Sequence, residues 1–454
     1  MKKADVAIIG FGKGGKTLAV ELAAVGKSVI LVEKSEKMYG GTCINVACIP
    51  TKSLVHSAAL SAEKGGAFSD QAERYREAIE EKDRLTAMLR DKNYHKLDAN
   101  PNITVLTGQA SFIDRHHIAV ATSTGTETLE AERIFINTGA RPFVPPISGL
   151  LQSKRVYLSE TLLDLKELPR RLVIIGGGYI GLEFASMYRN FGSQVTVIQD
   201  GEDFLPREDG EVAEAVLQSL TSRGIQILCS TKILGLEDRQ HRTEVTIESE
   251  KGEDVLLAEA ILVATGRRPN VEGLNLEVAG VELTPRGAIK TDEHLRTTVP
   301  NIWALGDVVG ELQFTYISLD DSRIIKSQLL GDGRRTTENR GAVPYSVFLD
   351  PPLSRVGLTE GEAIAQGYEI GVVKLPVMAI PKAQVLKKPV GFLKAIIDTK
   401  TNQILGAHLF CEESHEMINI VKLAIDAKLS CAVLRDAIYT HPTMSEAFND
   451  LFAL

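Results

Sequence analysis

The chain has 454 residues, of which 44% are apolar and 24% charged. That suffices for about three domains with buried cores, and excludes a disordered, collagen-like or disulfide-stapled chain. Its 51 Lys and Arg against 59 Asp and Glu give a net charge of -8, which argues against nucleic acid as a main partner. No uncharged apolar run reaches the roughly 18 residues a membrane span requires.

In chain order, Val6-Ala7-Ile8-Ile9 reads as a strand running into Gly10-Phe11-Gly12-Lys13-Gly14-Gly15, a helix from about Thr17, and a second strand ending at Glu33. Gly10 to Lys16 interrupt the apolar start too early for a signal peptide. In a G-x-G-x-x-G loop between strand and helix, Gly10 permits the tight turn and Gly12 lets backbone approach a pyrophosphate. Gly15 allows close packing, and Glu33 can bind an adenosine ribose. The stretch Gly40-Gly41-Thr42-Cys43-Ile44-Asn45-Val46-Ala47-Cys48-Ile49-Pro50-Thr51-Lys52 follows. Its two cysteines can close a disulfide across one distorted helical turn, and Lys52 with a helix dipole would stabilise a thiolate. Taken alone, the spacing also suits a buried structural pair or part of a metal site. The five cysteines are too few for a secreted framework, so a cytoplasmic protein is expected. Cys229 is expected to be buried after a strand, and Cys411 and Cys431 to be structural thiols.

From about Ala62 to Lys96 the chain reads as a charged amphipathic helix pair inserted in the first domain. Pro142, Pro145 and Pro146 suggest a linker. A second strand–loop–helix follows, with Gly176-Gly177-Gly178-Tyr179-Ile180-Gly181 as its loop and Gln199 at the end of its closing strand. Two such folds predict two dinucleotides, a flavin and a nicotinamide. Asp200, Glu202 and Asp203 beside Gln199 favour NADH over NADPH, although neutral Gln199 excludes neither. The expected fold is α/β, with two Rossmann-like domains and a C-terminal α+β dimerisation domain. Residues 1–150 and 287–342 form the first domain, 151–286 the second and 343–454 the third. Near the end, His441-Pro442 reads as part of a helix; by itself it suits a cap or surface residue. Its spacing to Glu446 lets the carboxylate orient one imidazole nitrogen while the other handles a proton. No metal site is expected; His116 and His117 point to opposite sides of a strand.

The cysteine stretch, both glycine loops, Asn301-Ile302-Trp303-Ala304-Leu305-Gly306-Asp307 and His441-Pro442-Thr443-Met444-Ser445-Glu446 together resemble the flavoprotein disulfide reductases, such as glutathione reductase, lipoamide dehydrogenase and mercuric reductase. The resemblance covers essentially the whole chain. It implies FAD in the first domain, with Cys48 as the thiolate against the flavin and Cys43 as the interchange thiol. Gly41 and Thr42 lie by the flavin, Lys52 sits near flavin N5 and pairs with Glu183, and Asp307 binds the ribityl chain. Tyr179 gates the nicotinamide face. Thr138-Gly139 and Gly266 form turns beside FAD and NAD. The His441–Glu446 dyad faces the cysteine pair of the other subunit, so the homodimer is required for chemistry.

Val20 stands where glutathione reductase has a glutathione-binding arginine, and the cysteine-bearing C-terminal tail of mercuric reductase has no counterpart here. The loop Gly10–Thr17, Arg90–His95, Phe314–Asp321 and Ser414–Asn419 resemble the bacterial reactive-chlorine-resistance branch. That branch implies reduction of a small oxidant, hypothiocyanous acid above all. Copper(II) reduction and a lipoamide dehydrogenase-like activity are the alternatives.

Overall fold

A computed structural model describes residues 1–310 and 312–453. In the first domain, Lys2–Ile9 pairs in parallel with Val29–Glu33 and with Gly125–Ile136. Ile103–Thr107 and Ile302–Ala304 add parallel strands, while His117–Thr122 and Gln109–Phe112 add antiparallel ones. Side chains of a strand alternate between faces, and here both faces are covered. Ala7 and Ile9 enter one apolar cluster, whereas Val6 and Ile8 enter another with Leu18 and Leu22 of the helix Lys13–Ala24. This is why the strand reads as an unbroken apolar run.

The second domain repeats the design. Ile225–Leu228, Gln194–Ile198, Arg171–Ile175, Ala260–Val263 and Val156–Leu158 form an all-parallel sheet in that order. A three-stranded antiparallel sheet, Lys232–Asp238, Thr243–Ser249 and Gly252–Ala258, packs beside it.

The domain boundaries differ from those read in the sequence. Ala140–Pro142 and Arg267–Pro269 pair as a two-stranded antiparallel ribbon that carries both crossings. Val144, Ile147 and Leu150 already pack in the second domain. Leu274, Leu276, Ala279 and Val281 are back in the first. Pro142 is thus part of a paired crossing, with Pro145 and Pro146 just beyond it, and the return precedes residue 287.

The charged segment is one helix, Phe68–Asp98, rather than a pair. Its antiparallel neighbour is the helix Cys48–Lys64, closed by Gly65 and Gly66 at positive φ. The long helix also reaches the second domain: Tyr75, Ala78 and Ile79 share a core with Tyr188 and Phe191.

In the C-terminal domain, Tyr345–Val347, Leu353–Gly357, Ile404–Phe410, Phe392–Asp398 and Ile370–Pro376 form an antiparallel sheet. The helix Ser414–Asp426 buries Met417, Ile418, Val421 and Ala424, a helical spacing that gives it one apolar face. No helix among the described residues is long and apolar enough to cross a membrane.

Candidate active site

Cys43 lies in the short helix Thr42–Asn45, and Cys48 opens the helix Cys48–Lys64. Ala47, at φ -141° and ψ -103°, separates the two, so the expected distorted turn is a break between helices. The thiols are unlinked and half-buried. They have opposite acidities. The neighbouring Cys43 thiol draws the Cys48 pKa down to about 6 against its burial, helped by the Thr315 hydroxyl and the charge of Lys52. Cys43, beside Cys48 and buried next to a developing thiolate, is pushed far up. Thr315 Oγ1 lies 3.4 Å from Cys48 Sγ and begins the helix Thr315–Leu330. Two helix N-termini, its own and that of Thr315, therefore favour negative charge at Cys48.

One turn along, Lys52 Nζ donates to Glu183 Oε2 at 2.8 Å and lies 4.4 Å from the centre of the Phe348 ring. The other oxygen of Glu183 accepts from the Phe348 amide at 2.9 Å. Glu183 belongs to the helix Tyr179–Asn190, which follows the second glycine loop. The fold thus joins the cysteine stretch to the second domain through one ion pair.

The first glycine loop meets the cysteine stretch directly. A Cβ on Gly41, whose φ is +83°, would stand 2.7 Å from Gly12 Cα, so only glycine permits that approach. Glu33 is buried and its Oε2 accepts from Phe11 N at 3.0 Å. Asn137 Oδ1 accepts from Gly15 N at 2.9 Å while its Nδ2 donates to Leu305 O. Asp307 follows in the short turn Gly306–Val309, and burial raises the pKa of both Glu33 and Asp307. Thr138 Oγ1 donates to Asn270 O at 2.7 Å, and Gly139 O accepts from Asn270 N. That turn and Gly266 lie at the two ends of the inter-domain ribbon.

His441 and Glu446 stand apart. Their loop precedes the helix Ala447–Leu451, so His441 is not in a helix as the sequence suggested. Nδ1 of His441 is 2.8 Å from Glu446 Oε2, and the ring side chain is 74% exposed. Among the described residues neither side chain hydrogen-bonds to the cysteine stretch of its own chain. Cys229, one residue past the strand Ile225–Leu228, is half-buried rather than buried, whereas Cys411 and Cys431 are buried in the C-terminal core.

Sequence reasoning left four polar participants out of the site: Asn137, Thr315, Glu208 and Tyr345. Asn137 directly precedes the Thr138-Gly139 turn and could have been found there. No motif marks Glu208 in the sequence, yet it is buried and accepts from the Tyr179 hydroxyl at 2.5 Å.

Residues 4–322 match the family model for the pyridine nucleotide-disulphide oxidoreductase domain, and residues 343–452 match the dimerisation domain of the same family. The chain belongs to the pyridine nucleotide-disulphide oxidoreductases. It is 51% identical, over the full length of both chains, to the probable pyridine nucleotide-disulfide oxidoreductase RclA of Escherichia coli. It is 34% identical to a mercuric reductase of Staphylococcus aureus, covering 98% of this chain and 81% of that one. It is 32% identical to a dihydrolipoyl dehydrogenase of Bacillus subtilis, covering 97% and 94%. The solved structure of the HOCl-induced flavoprotein disulfide reductase RclA from Escherichia coli superposes with a TM-score of 0.92 at 50% identity, over 99% of each chain. Its copper(II) complex superposes with a TM-score of 0.93, over 100% and 99%.

This oxidoreductase is thus a flavoprotein disulfide reductase with a C-terminal dimerisation domain, and its family implies a flavin and a nicotinamide cofactor. The residues present fit both. Around the first loop Gly12, Glu33 and Asn137 converge at one helix N-terminus, and Asn137 also binds Leu305 O, just before the turn Gly306–Val309 that carries Asp307. In the second, a Cβ on Gly178 would meet nothing within 4 Å. Protein packing therefore does not require glycine there, whereas a close pyrophosphate does. Gln199 Nε2 is spent inside its own loop, donating to the carbonyls of Gly201 and Asp203.

Proposed function

We propose that the chain is a cytoplasmic, homodimeric, FAD-dependent NADH oxidoreductase that reduces its own Cys43–Cys48 disulfide and passes two electrons to hypothiocyanous acid in oxidative-stress defence. The observation that carries this reading is the unequal thiol pair, one thiol acidified beside Lys52 and Thr315 and the other held protonated. When bound, FAD supplies the relay of two electrons from the nicotinamide to the cysteine pair. Glu33, Asn137 and Asp307 would hold it, with the backbone of Gly10, Gly12 and Gly15 close to its pyrophosphate. Gly176, Gly178 and Gly181 would cradle NADH, and Tyr179 and Ile180 would border its nicotinamide. Glu183 and Phe348 fix the Lys52 ammonium, which keeps a positive charge one helical turn from Cys48.

At the oxidant side Cys43 needs a base, because its proton is held tightly. His441, oriented by Glu446 and contributed by the second chain, takes that proton. The Cys43 sulfur attacks the sulfur of hypothiocyanous acid, an S–S bond forms and the S–O bond breaks. The departing hydroxide takes the proton from His441 and leaves as water. The Cys48 thiolate then attacks the Cys43 sulfur and expels thiocyanate, which restores the disulfide. Two electrons have passed from the cysteine pair to the oxidant. A small oxidant needs little binding surface, in keeping with Val20 in place of a substrate-binding cation.

Nicotinamide choice follows from Gln199, Asp200, Glu202 and Asp203. They offer no positive charge to a 2′-phosphate, which favours NADH. Copper(II) reduction is the second reading, supported by the copper(II) complex of the Escherichia coli relative. Steady-state NADH oxidation with hypothiocyanous acid, lipoamide, glutathione disulfide and copper(II) tests the choice. The highest kcat/KM is expected for hypothiocyanous acid. A higher value for copper(II) or lipoamide would replace the assigned substrate.

A further inference from the structure

The C-terminal sheet meets the second domain through a buried charged layer. Arg355, His408 and Lys394 stand side by side on three neighbouring strands, in register. Opposite them, Glu208, Asp209 and Glu211 come from the segment that enters the helix Gly210–Ser222. The Lys394 side chain has no exposed surface; its Nζ lies 2.7 Å from Asp209 Oδ2 and 2.7 Å from Glu211 Oε1, and it also pairs with Glu360.

Glu208 is the member of this layer that reaches the nicotinamide side. Its side chain is also fully buried, so its charge needs partners on both oxygens. Oε2 lies 3.2 Å from His408 Nε2 and 3.9 Å from an Arg355 guanidinium nitrogen. Oε1 accepts from the Tyr179 hydroxyl at 2.5 Å and from the Tyr345 hydroxyl at 2.6 Å. The two tyrosine rings stack with centres 5.4 Å apart and planes 28° from parallel. Tyr179 begins the helix that carries Glu183 one turn later, and Tyr345 begins the first strand of the C-terminal sheet.

We propose that Glu208 is a positioning residue for the nicotinamide site, its buried carboxylate holding the Tyr179 hydroxyl and tying that ring, through Tyr345 and His408, to the C-terminal domain. This rests on the reading of Tyr179 as the gate over the nicotinamide face. A tyrosine hydroxyl has one proton to donate, and here it goes to a charged acceptor, a stronger bond than one to a neutral group. Moving the ring to admit a nicotinamide strains or breaks that bond. Gate position and the packing of the C-terminal domain against the second domain are thereby coupled.

A double-mutant cycle on the FAD-loaded dimer tests this, reading the NADH KM, the oxidant KM and the rate of flavin reduction by NADH in stopped flow. Glu208→Gln and Tyr179→Phe are each expected to shift the NADH KM about tenfold or more in the same direction, the low end of the scale of one hydrogen bond to a charged group. The oxidant KM should stay unchanged, and the double variant should shift no further than either single one. Tyr345→Phe leaves the carboxylate in place and carries the same test if Glu208→Gln does not fold. It should move the NADH KM in the native chain and not in the Tyr179→Phe chain. Additive shifts, or equal shifts in both KM values, would show that Glu208 acts by packing alone and overturn the proposal. A protein that oxidises no NADH with any oxidant would instead overturn the proposed function on which it rests.

Discussion

Replacing Thr315 by valine keeps the shape of the side chain and removes the hydroxyl that lies 3.4 Å from Cys48 Sγ. The Cys48 thiol is held at about 6, below the 9.0 of a free cysteine thiol, by Cys43, Thr315 and Lys52 acting against burial. A hydrogen bond to a charged group contributes about 1.5–3 kcal/mol, and the long sulfur contact places this one at the low end. One pKa unit corresponds to about 1.4 kcal/mol, so Thr315→Val should raise the Cys48 pKa by about one unit, to near 7. The sign follows from the direction of the shift: a depressed thiol is thiolate above its folded pKa and protonated below it. The assay is a pH titration of the long-wavelength absorbance of the two-electron-reduced protein, which reports a thiolate beside the flavin. The native band should be half lost near pH 6 and the Thr315→Val band near pH 7. Coincident midpoints would refute the assignment of the Thr315 hydroxyl to the thiolate.

Other outcomes follow from the same geometry. Cys48→Ser should abolish that absorbance band, while Cys43→Ser should keep it, since serine can still donate a hydrogen bond to Cys48; the reverse pattern would exchange the two roles. Glu183→Gln should slow flavin reduction by NADH about tenfold, the scale of one charge-assisted contact, as measured in stopped flow. NADH should be preferred to NADPH in kcat/KM, and comparison of the two cofactors at equal enzyme checks it. Co-refolding His441→Ala with Cys43→Ser/Cys48→Ser chains should recover up to about half the native activity per mixed dimer, the share expected of one intact site in a symmetric pair. Tag-verified mixed dimers without activity would place His441 outside the other chain's site.

The two glycine loops and the cysteine stretch were legible because backbone conformation dictates them. Gly41 packs against Gly12, and Gly10 and Gly176 have positive φ, so residue type and place are bound together. The strands were legible because Val6 to Ile9 and Leu172 to Ile175 bury both faces. The Lys52–Glu183 pair came only from family resemblance, since 131 positions of sequence separate its members. The buried layer of Glu208, His408 and Lys394 was not legible at all. A buried charge looks like a solvated one in sequence, and only the register of three strands brings its partners opposite it. The prolines from Pro142 mark the first crossing, but the boundaries at 150 and 287 fall late, because the ribbon of Ala140–Pro142 with Arg267–Pro269 sets both crossings and pairs residues far apart in sequence. The segment from about Ala62 to Lys96 reads as a helix pair in sequence, whereas Ala62 to Lys64 close the preceding helix and Phe68–Asp98 runs unbroken.

The central claim is that the Cys43–Cys48 pair itself carries the two electrons to the oxidant. Anaerobic FAD-loaded protein, reduced with NADH to the dithiol and freed of excess NADH, should be mixed with one equivalent of hypothiocyanous acid per cysteine pair and examined by mass spectrometry with thiocyanate determination. One thiocyanate released and one Cys43–Cys48 disulfide formed per chain, with no disulfide in the Cys43→Ser protein, is the predicted result. Thiocyanate release at the same rate from the Cys43→Ser protein, or oxidant consumed with the dithiol intact, would contradict it.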